Sequence, residues 1–253
     1  MTEGKRIEIL GIPVDPVTQE EALSRFRRLM DIPGCSLIVT PNSEIVLNAS
    51  KNPELQALIS GASLIIPDGI GLVYASRIIG KPLKERVTGV DFLTAILKEL
   101  EKTGKSIYLL GSKPASEERP SVAYLAGEAM KKAYPRLKIA GTRDGYFKGD
   151  DEEEIVRQIN ESGADFLCVA LGSPKQEQFI ARNASALETV RCGMGVGGSL
   201  DVWAGTVRRA PEFYQKYGLE WLFRFIQEPS RYKRMAQLPL FILKVLTTAR
   251  DGR

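Results

Sequence analysis

Residues 37–91 decide the fold: LIVTPNSEIVLN over 37–48, then ASLIIPDGIGLVYASRIIGKPLKERVTGVD over 62–91. Two short apolar runs, 37–39 and 64–66, each stop abruptly in turn residues. Thr40, Pro41 and Asn42 follow the first; Pro67, Asp68 and Gly69 follow the second. Short apolar runs bounded in this way read as buried strands, and each is followed by a helical pattern. In an open parallel sheet, ligands bind beyond the carboxyl ends of the strands. Asp68 stands at such an end, just before a glycine-flanked helix start, and is a candidate general base. The chain has no histidine, so acid–base chemistry falls to carboxylates, Lys, Tyr or Cys.

Working outward, the same alternation continues. Strands are expected at 7–10, 106–110, 138–142, 166–171 and 190–196. Helices are expected at 18–30, 43–50, 53–60, 71–79, 89–103, 116–133, 150–162 and 176–183. Thr18 with Glu21 three residues on forms a capping-box pattern. This rhythm argues an α/β fold, a Rossmann-like parallel sheet with helices on both faces, over residues 1–207. After Pro211 the pattern turns helical and aromatic, with breaks at Pro229 and Pro239, and residues 208–253 read as a helical appendage.

The charge is uneven. The chain carries 35 Lys+Arg against 31 Asp+Glu, a net +4. Residues 208–253 hold ten basic and four acidic residues, so the rest of the chain is at −2. The basic C-terminus asks for an anionic partner. Solvated helix faces are the plain alternative. Nucleic acid is disfavoured, because the basic stripe is short and the body slightly acidic. A membrane or lipid-phosphate surface fits best, with arginines on phosphates and Trp221 among the headgroups. The longest late apolar run, 238–246, is interrupted by Lys244 and falls well short of the ~20 residues a spanning helix needs. The start of the chain lacks the apolar stretch of a signal peptide. Cys35, Cys168 and Cys192 have no metal-ligand spacing, so buried free thiols in a reducing, cytoplasmic compartment are expected.

Three further motifs follow strands. Gly111-Ser112-Lys113-Pro114 reads either as a phosphate-binding turn at a helix start or as an ordinary βα turn. Gly172-Ser173-Pro174-Lys175-Gln176-Glu177-Gln178 concentrates a hydroxyl, a lysine and two amides, a density suited to a sugar or nucleotide. Its plain reading is a proline-started helix with solvated polar residues. The run 193–201, GMGVGGSLD, ends at Asp201, which reads as a ribose or base contact or as a helix cap. None of these is a phased dinucleotide fingerprint, which disfavours an NAD-dependent oxidoreductase. No DxD triplet is present, and Asp150-Asp151 reads as a solvated helix start, so neither a metal nor another cofactor is expected.

Together TPNSEIV, PDGIGLV, PLKERVTGVD, LLGSKP, GYF, LGSPKQE, GVGGSLDVWAG, RAP and GLEWLFRFIQEPSR resemble the WecG/TagA/CpsF family of bacterial glycosyltransferases. The resemblance runs from about Ile7 to Arg234. It is strongest to members that build the linkage unit of wall teichoic acid. It implies a UDP-sugar donor and an acceptor sugar on a polyprenyl diphosphate. The reaction would be inverting transfer of N-acetylmannosamine to N-acetylglucosamine through a β1,4 linkage at the cytoplasmic membrane face. In that frame Asp68 is the base, Thr40 and Asn42 orient a sugar, and Arg86 serves the diphosphate or the acceptor. Gln176 and Gln178 contact sugar hydroxyls, with Ser173 and Lys175 beside them. Gly111, Ser112, Gly172 and Asp201 surround the nucleotide. Arg224, Arg231 and Arg234 bind the lipid diphosphate or close over the leaving group. Many members carry a histidine before GYF, where this chain has Thr142-Arg143-Asp144; no such histidine acts here. A uronic-acid donor, a non-catalytic nucleotide-sugar-binding module and self-association through the apolar appendage remain open.

Overall fold

A small antiparallel hairpin opens the chain, β1 (Ile7–Ile9) against β2 (Ile12–Val14). Its two turn residues, Leu10 and Gly11, both have positive φ (51° and 82°), as a tight two-residue hairpin requires. The strand expected over 7–10 is therefore one arm and the first turn residue of a hairpin, whose Leu-Gly turn is not among the usual turn pairs. The structure is a computed structural model that describes residues 5–227 and 237–251.

Helix α1 (Gln19–Leu29) starts at the expected capping box: the Thr18 side chain accepts from the Glu21 amide and Glu21 accepts from the Thr18 amide. There follow β3 (Ser36–Val39), α2 (Ser43–Ala49), α3 (Pro53–Ser60), β4 (Leu64–Ile65), α4 (Ile70–Ile78) and α5 (Gly89–Thr103). Next come β5 (Ser106–Gly111), α6 (Val122–Ala133), β6 (Lys138–Arg143), α7 (Glu152–Glu161), β7 (Phe166–Ala170) and α8 (Lys175–Asn183). The chain continues through β8 (Cys192–Gly195), α9 (Ser199–Trp203), α10 (Glu212–Lys216), α11 (Glu220–Gln227) and α12 (Gln237–Asp251). Two expected boundaries move. Helix α6 begins at Val122 and not at 116, because Pro120 disfavours helical backbone at the residue before it, and Ser121 caps the helix through its side chain. Pro239 does not break α12: it lies in the first turn, where a missing N–H goes unused.

The main sheet has six parallel strands in the order β4-β3-β8-β7-β5-β6. One face carries α1, α5, α6 and α9, with Phe26 against Phe166 edge to face at 5.4 Å. The other carries α2, α3 and α4 over β3 and β4, and α7 and α8 over β5 and β7. Here α12 joins the core: Phe241 and Val245 are 0% and 1% exposed and pack with residues of α2 and α4. The free edge of β4 is occupied by Asp15, which accepts from the Ile65 amide at 2.8 Å and pairs with Arg25 at 2.6 Å. A short edge strand bound by a buried carboxylate offers no ladder for a second chain.

The strand order creates a topological switch. After β5 the chain moves outward to β6 through α6; after β7 it moves inward to β8 through α8. Adjacent strands whose connections leave on opposite faces open a crevice at their carboxyl ends.

Candidate active site

The carboxyl edge of the sheet holds two neighbouring sites. At β3 and β4 the backbone of Asp68 donates to the Pro41 carbonyl at 2.9 Å, joining the two expected strand-end motifs. Asp68 is half-buried. The start of α5 supplies the third side through Gly89. A β-carbon there would lie 3.4 Å from Thr40 Oγ1 and 3.5 Å from Asp68 Oδ2. Thr40 and Asp68 therefore flank one bare patch of backbone, and the glycine of VTGVD keeps that patch open. Asn42 accepts from the Ile45 amide at 3.0 Å and caps α2, so one end of its side chain serves the fold.

The second site is the switch crevice between β5 and β7, the mouth of a cavity of about 1280 Å³. Gly111 makes the close approach possible. Its φ is +129°, and a β-carbon would lie 2.5 Å from the Ala170 carbonyl oxygen. Ser112, also at positive φ (59°), donates from its amide to Ala170 and from its hydroxyl to Asp201 Oδ2 at 3.0 Å. Asp201 is thus both in the first turn of α9 and across the crevice from the β5 turn. Lys113, Arg119, Lys148 and Lys175 line the same cavity beside Asp151 and Asp201. Of these cations only Lys175 was singled out from sequence. Lys113 stood within the quoted GSKP turn, whereas Arg119 and Lys148 lie in loops with no local signature.

The third motif turns inward. Gly172 (φ +75°) and Ser173 are exposed in the turn between β7 and α8. Gln178 is half-buried, but Gln176 and Glu177 are only 5% and 1% exposed. The reading of solvated polar residues at this helix start fails for both. Gln176 accepts from the Gly197 amide at 3.1 Å and donates to Glu177 at 2.8 Å. A β-carbon on Gly195 would meet Gln176 Nε2 at 2.5 Å, so the glycine of the GVGG run makes room for that amide. Burial pushes the Glu177 carboxyl above the usual range, partly offset by the Gln176 amide.

Arg86 is committed to the C-terminal segment. It donates to the Gln215 carbonyl at 2.8 Å and pairs with Glu220 on α11. Its Nε is buried without a partner among the described residues. Asp91 of the same motif pairs with Arg209 at 2.6 Å, and Gly218 (φ +70°) packs on Ile70, two residues after Asp68. PDGI and PLKERVTGVD thus seat the segment that follows residue 208. A mixed-charge cavity of about 500 Å³ lies at this junction, bordered by Arg77, Lys84, Arg86 and Lys216. Arg224 lies on α11; Arg231 and Arg234 fall outside the described residues.

The cysteines take no part. Cys168 and Cys192 are buried, and burial raises both thiols far above the ordinary range; Cys35 is pushed up to about 12. Among the described residues no three His, Cys, Asp or Glu side chains cluster as metal ligands.

The strand order differs from the classic dinucleotide-binding order 3-2-1-4-5-6. Comparison with known proteins gives the lineage. A protein of Bacillus spizizenii is 38% identical over 211 residues, 83% of this chain and 79% of its own length. One of Staphylococcus aureus strain MW2 is 32% identical over 247 residues, 97% and 94% of the two chains. Both are named N-acetylglucosaminyldiphosphoundecaprenol N-acetyl-beta-D-mannosaminyltransferase. The family model of the WecG/TagA/CpsF glycosyl transferases matches residues 7–253, and the chain belongs to that family.

Proposed function

We propose that this enzyme transfers N-acetylmannosamine from UDP-N-acetylmannosamine to N-acetylglucosamine carried on undecaprenyl diphosphate, with inversion and a β1,4 linkage, in linkage-unit synthesis for wall teichoic acid. The observation that carries the reading is the convergence of Thr40 and Asp68 around Gly89 on the same sheet edge as a cation-lined switch crevice. It is supported by relatives named for this transfer that cover most of the chain.

The chemistry follows from the layout. Inverting transfer needs a base for the acceptor hydroxyl and stabilisation of the departing diphosphate. Asp68 takes the proton, while Thr40 and the amide nitrogen of Asn42 hold a sugar at the same edge. The nucleotide lies at Gly111, Ser112, Gly172 and Asp201, with Lys113, Arg119, Lys148 and Lys175 around its phosphates. From β4 to β5 is four strand steps, about 19 Å at the usual spacing. The donor therefore lies along the sheet edge, its sugar toward Asp68. Ser173 and Gln178 border that path. Arg86 holds the C-terminal segment against PDGI and, with Arg224, Arg231 and Arg234, adds positive charge on the acceptor or leaving-group side. No bound metal is assigned a role.

Among the described residues no helix is long and apolar enough to cross a membrane. The acceptor is met from the side: residues 208–253 act as a basic appendage on the 1–207 body at the cytoplasmic membrane surface. Phe213, Tyr217, Trp221 and Ile226 are exposed on or beside α10 and α11, as are Leu240, Leu243 and Leu246 on α12. The same apolar surface suits a second copy of the chain, and concentration-dependent sedimentation separates the two uses.

The direct test is UDP release from UDP-N-acetylmannosamine with a short-lipid N-acetylglucosamine diphosphate acceptor and EDTA present. Turnover with a β1,4 product supports the reading. UDP binding without turnover, unrescued by added metal, would leave a different donor, such as the uronic acid, or a binding module.

A further inference from the structure

Glu177 is the one carboxylate of the described core that is 1% exposed, lacks a basic partner and has an oxygen, Oε2, with no hydrogen-bond partner among the described residues. Asp15, the other deeply buried acid, is held by two arginines. A buried carboxylate with no cationic partner costs several kcal/mol in any fold, so its presence here calls for a use.

The surroundings of Glu177 indicate that use. Its Oε1 takes the Gln176 amide; Gln176 Oε1 in turn takes the Gly197 amide. Gly195 is bare to admit Gln176, and the Gly195 carbonyl accepts from Thr40 Oγ1 at 3.5 Å. Beyond Gly197 the chain enters α9, where Asp201 meets Ser112 across the crevice. We propose that Glu177 is a positioning residue for the donor: through Gln176 it sets the 195–198 glycine run, and so the placing of Asp201 on the nucleotide side and of Thr40 on the sugar side. This rests on the transferase reading above only in taking UDP as the nucleotide.

The protonated acid is the form that suits the site. With its proton, Glu177 presents one acceptor to Gln176 and remains uncharged in the core; ionised, it places a charge there that no cation pairs and that only neutral donors, first the Gln176 amide, partly offset. The elements packed on α8 supply no counter-charge: β3, β7 and β8 contain no Asp, Glu, Lys or Arg, and the single one on α3, Glu54, is exposed. On α8 itself Lys175 is exposed and Arg182 pairs with Glu152. Cys168 and Cys192 pack in the core on the other face of the sheet, and the Cys35 thiol on the α8 side is pushed up by burial. The folded carboxyl titrates above its unfolded value, so its contribution is fully present below the unfolded pKa and is lost as pH rises through the folded one.

The test is UDP binding by calorimetry across pH on the full chain, with wild type, Glu177→Gln and Glu177→Leu. Glu177→Gln keeps the shape and cannot ionise. Its UDP affinity relative to wild type should rise with pH, a ratio from which titration of UDP itself cancels. Glu177→Leu leaves the Gln176 N–H and Gly197 relay unsupported and should weaken UDP by about tenfold or more. In the transfer assay it should raise the donor KM and leave the acceptor KM unchanged. A pH-independent ratio for Glu177→Gln, or both variants binding UDP like wild type, would overturn the proposal even if Glu177→Leu lowers the melting temperature. Failure of wild type to bind UDP would sink the nucleotide assignment as well. Tight UDP binding without transfer would sink only the reaction.

Discussion

Replacing Asp68 by Asn changes one atom and removes the charge that would accept the acceptor proton. Turnover should fall about 10²–10⁴-fold, while calorimetric UDP binding stays nearly intact, because the crevice proposed for the nucleotide lies four strand steps away at Ser112 and Asp201. Loss of UDP binding together with turnover would remove Asp68 from the role of base. Gly111→Ala acts at the other end. Its positive φ and the 2.5 Å approach to Ala170 leave no room for a methyl group, so β5 and β7 must part at the crevice. UDP affinity should fall steeply in a titration while the Asp68 edge is untouched. Both positions were legible from sequence, since each closes an apolar run. Glu177 was not, because a Lys-Gln-Glu-Gln helix start has the composition of a solvated one. Only the side chains packed above it make two of those residues core.

At the scale of elements, α12 behaves as a staple and not as a tail. Phe241 is fully buried with Val46, Leu72 and Ala75, and Phe241→Ala should cost about 3–5 kcal/mol in denaturant unfolding. An unchanged midpoint would mean that the helix does not rest there in solution. The α10–α11 segment is held by polar contacts: Arg86 with Glu220 and Gln215, and Arg209 with Asp91. Glu220→Ala leaves the partly buried Arg86 guanidinium short of its carboxylate. It should cost about 1–3 kcal/mol and speed proteolytic cleavage near residues 208–220 before the body is cut. Sequence could mark Arg86 as a charge near the site. It could not say that a carboxylate more than a hundred residues later would meet it.

For the whole molecule, the proposed reaction asks how an acceptor carried on a membrane lipid would reach the sheet edge. Deleting everything after Arg209 would also remove Phe241 and Val245 from the core, so surface substitutions test membrane contact more cleanly. Leu240→Glu with Leu243→Glu changes two exposed side chains of α12 and should reduce co-sedimentation with anionic vesicles while leaving UDP affinity unchanged. Equal co-sedimentation of variant and parent would move membrane contact away from this face. Raised salt should weaken binding of the parent as well, since part of the attraction comes from the basic excess after residue 208.

The sequence by itself determined what is local. The β–α alternation, the Thr18 capping box and the identity of the groups at strand ends all follow from periodicity and hydrogen bonds a few residues apart. Family membership was legible too, because nine motifs matched in order along the chain. The hairpin at Leu10-Gly11 escaped, since its turn is set by backbone twist and not by a turn-favouring pair. Only the tertiary structure decided the order β4-β3-β8-β7-β5-β6, because the strands β3, β4, β5 and β7 are all apolar runs and pairing among such strands is chosen by side-chain fit across the sheet. That order places the switch crevice between β5 and β7, brings Thr40 beside Asp68, and lays the Gln176–Gly197 contact between them. Burial then set the direction in which Glu177 titrates: desolvation in the core pushes its carboxyl up from the ordinary range, against the pull of the Gln176 amide.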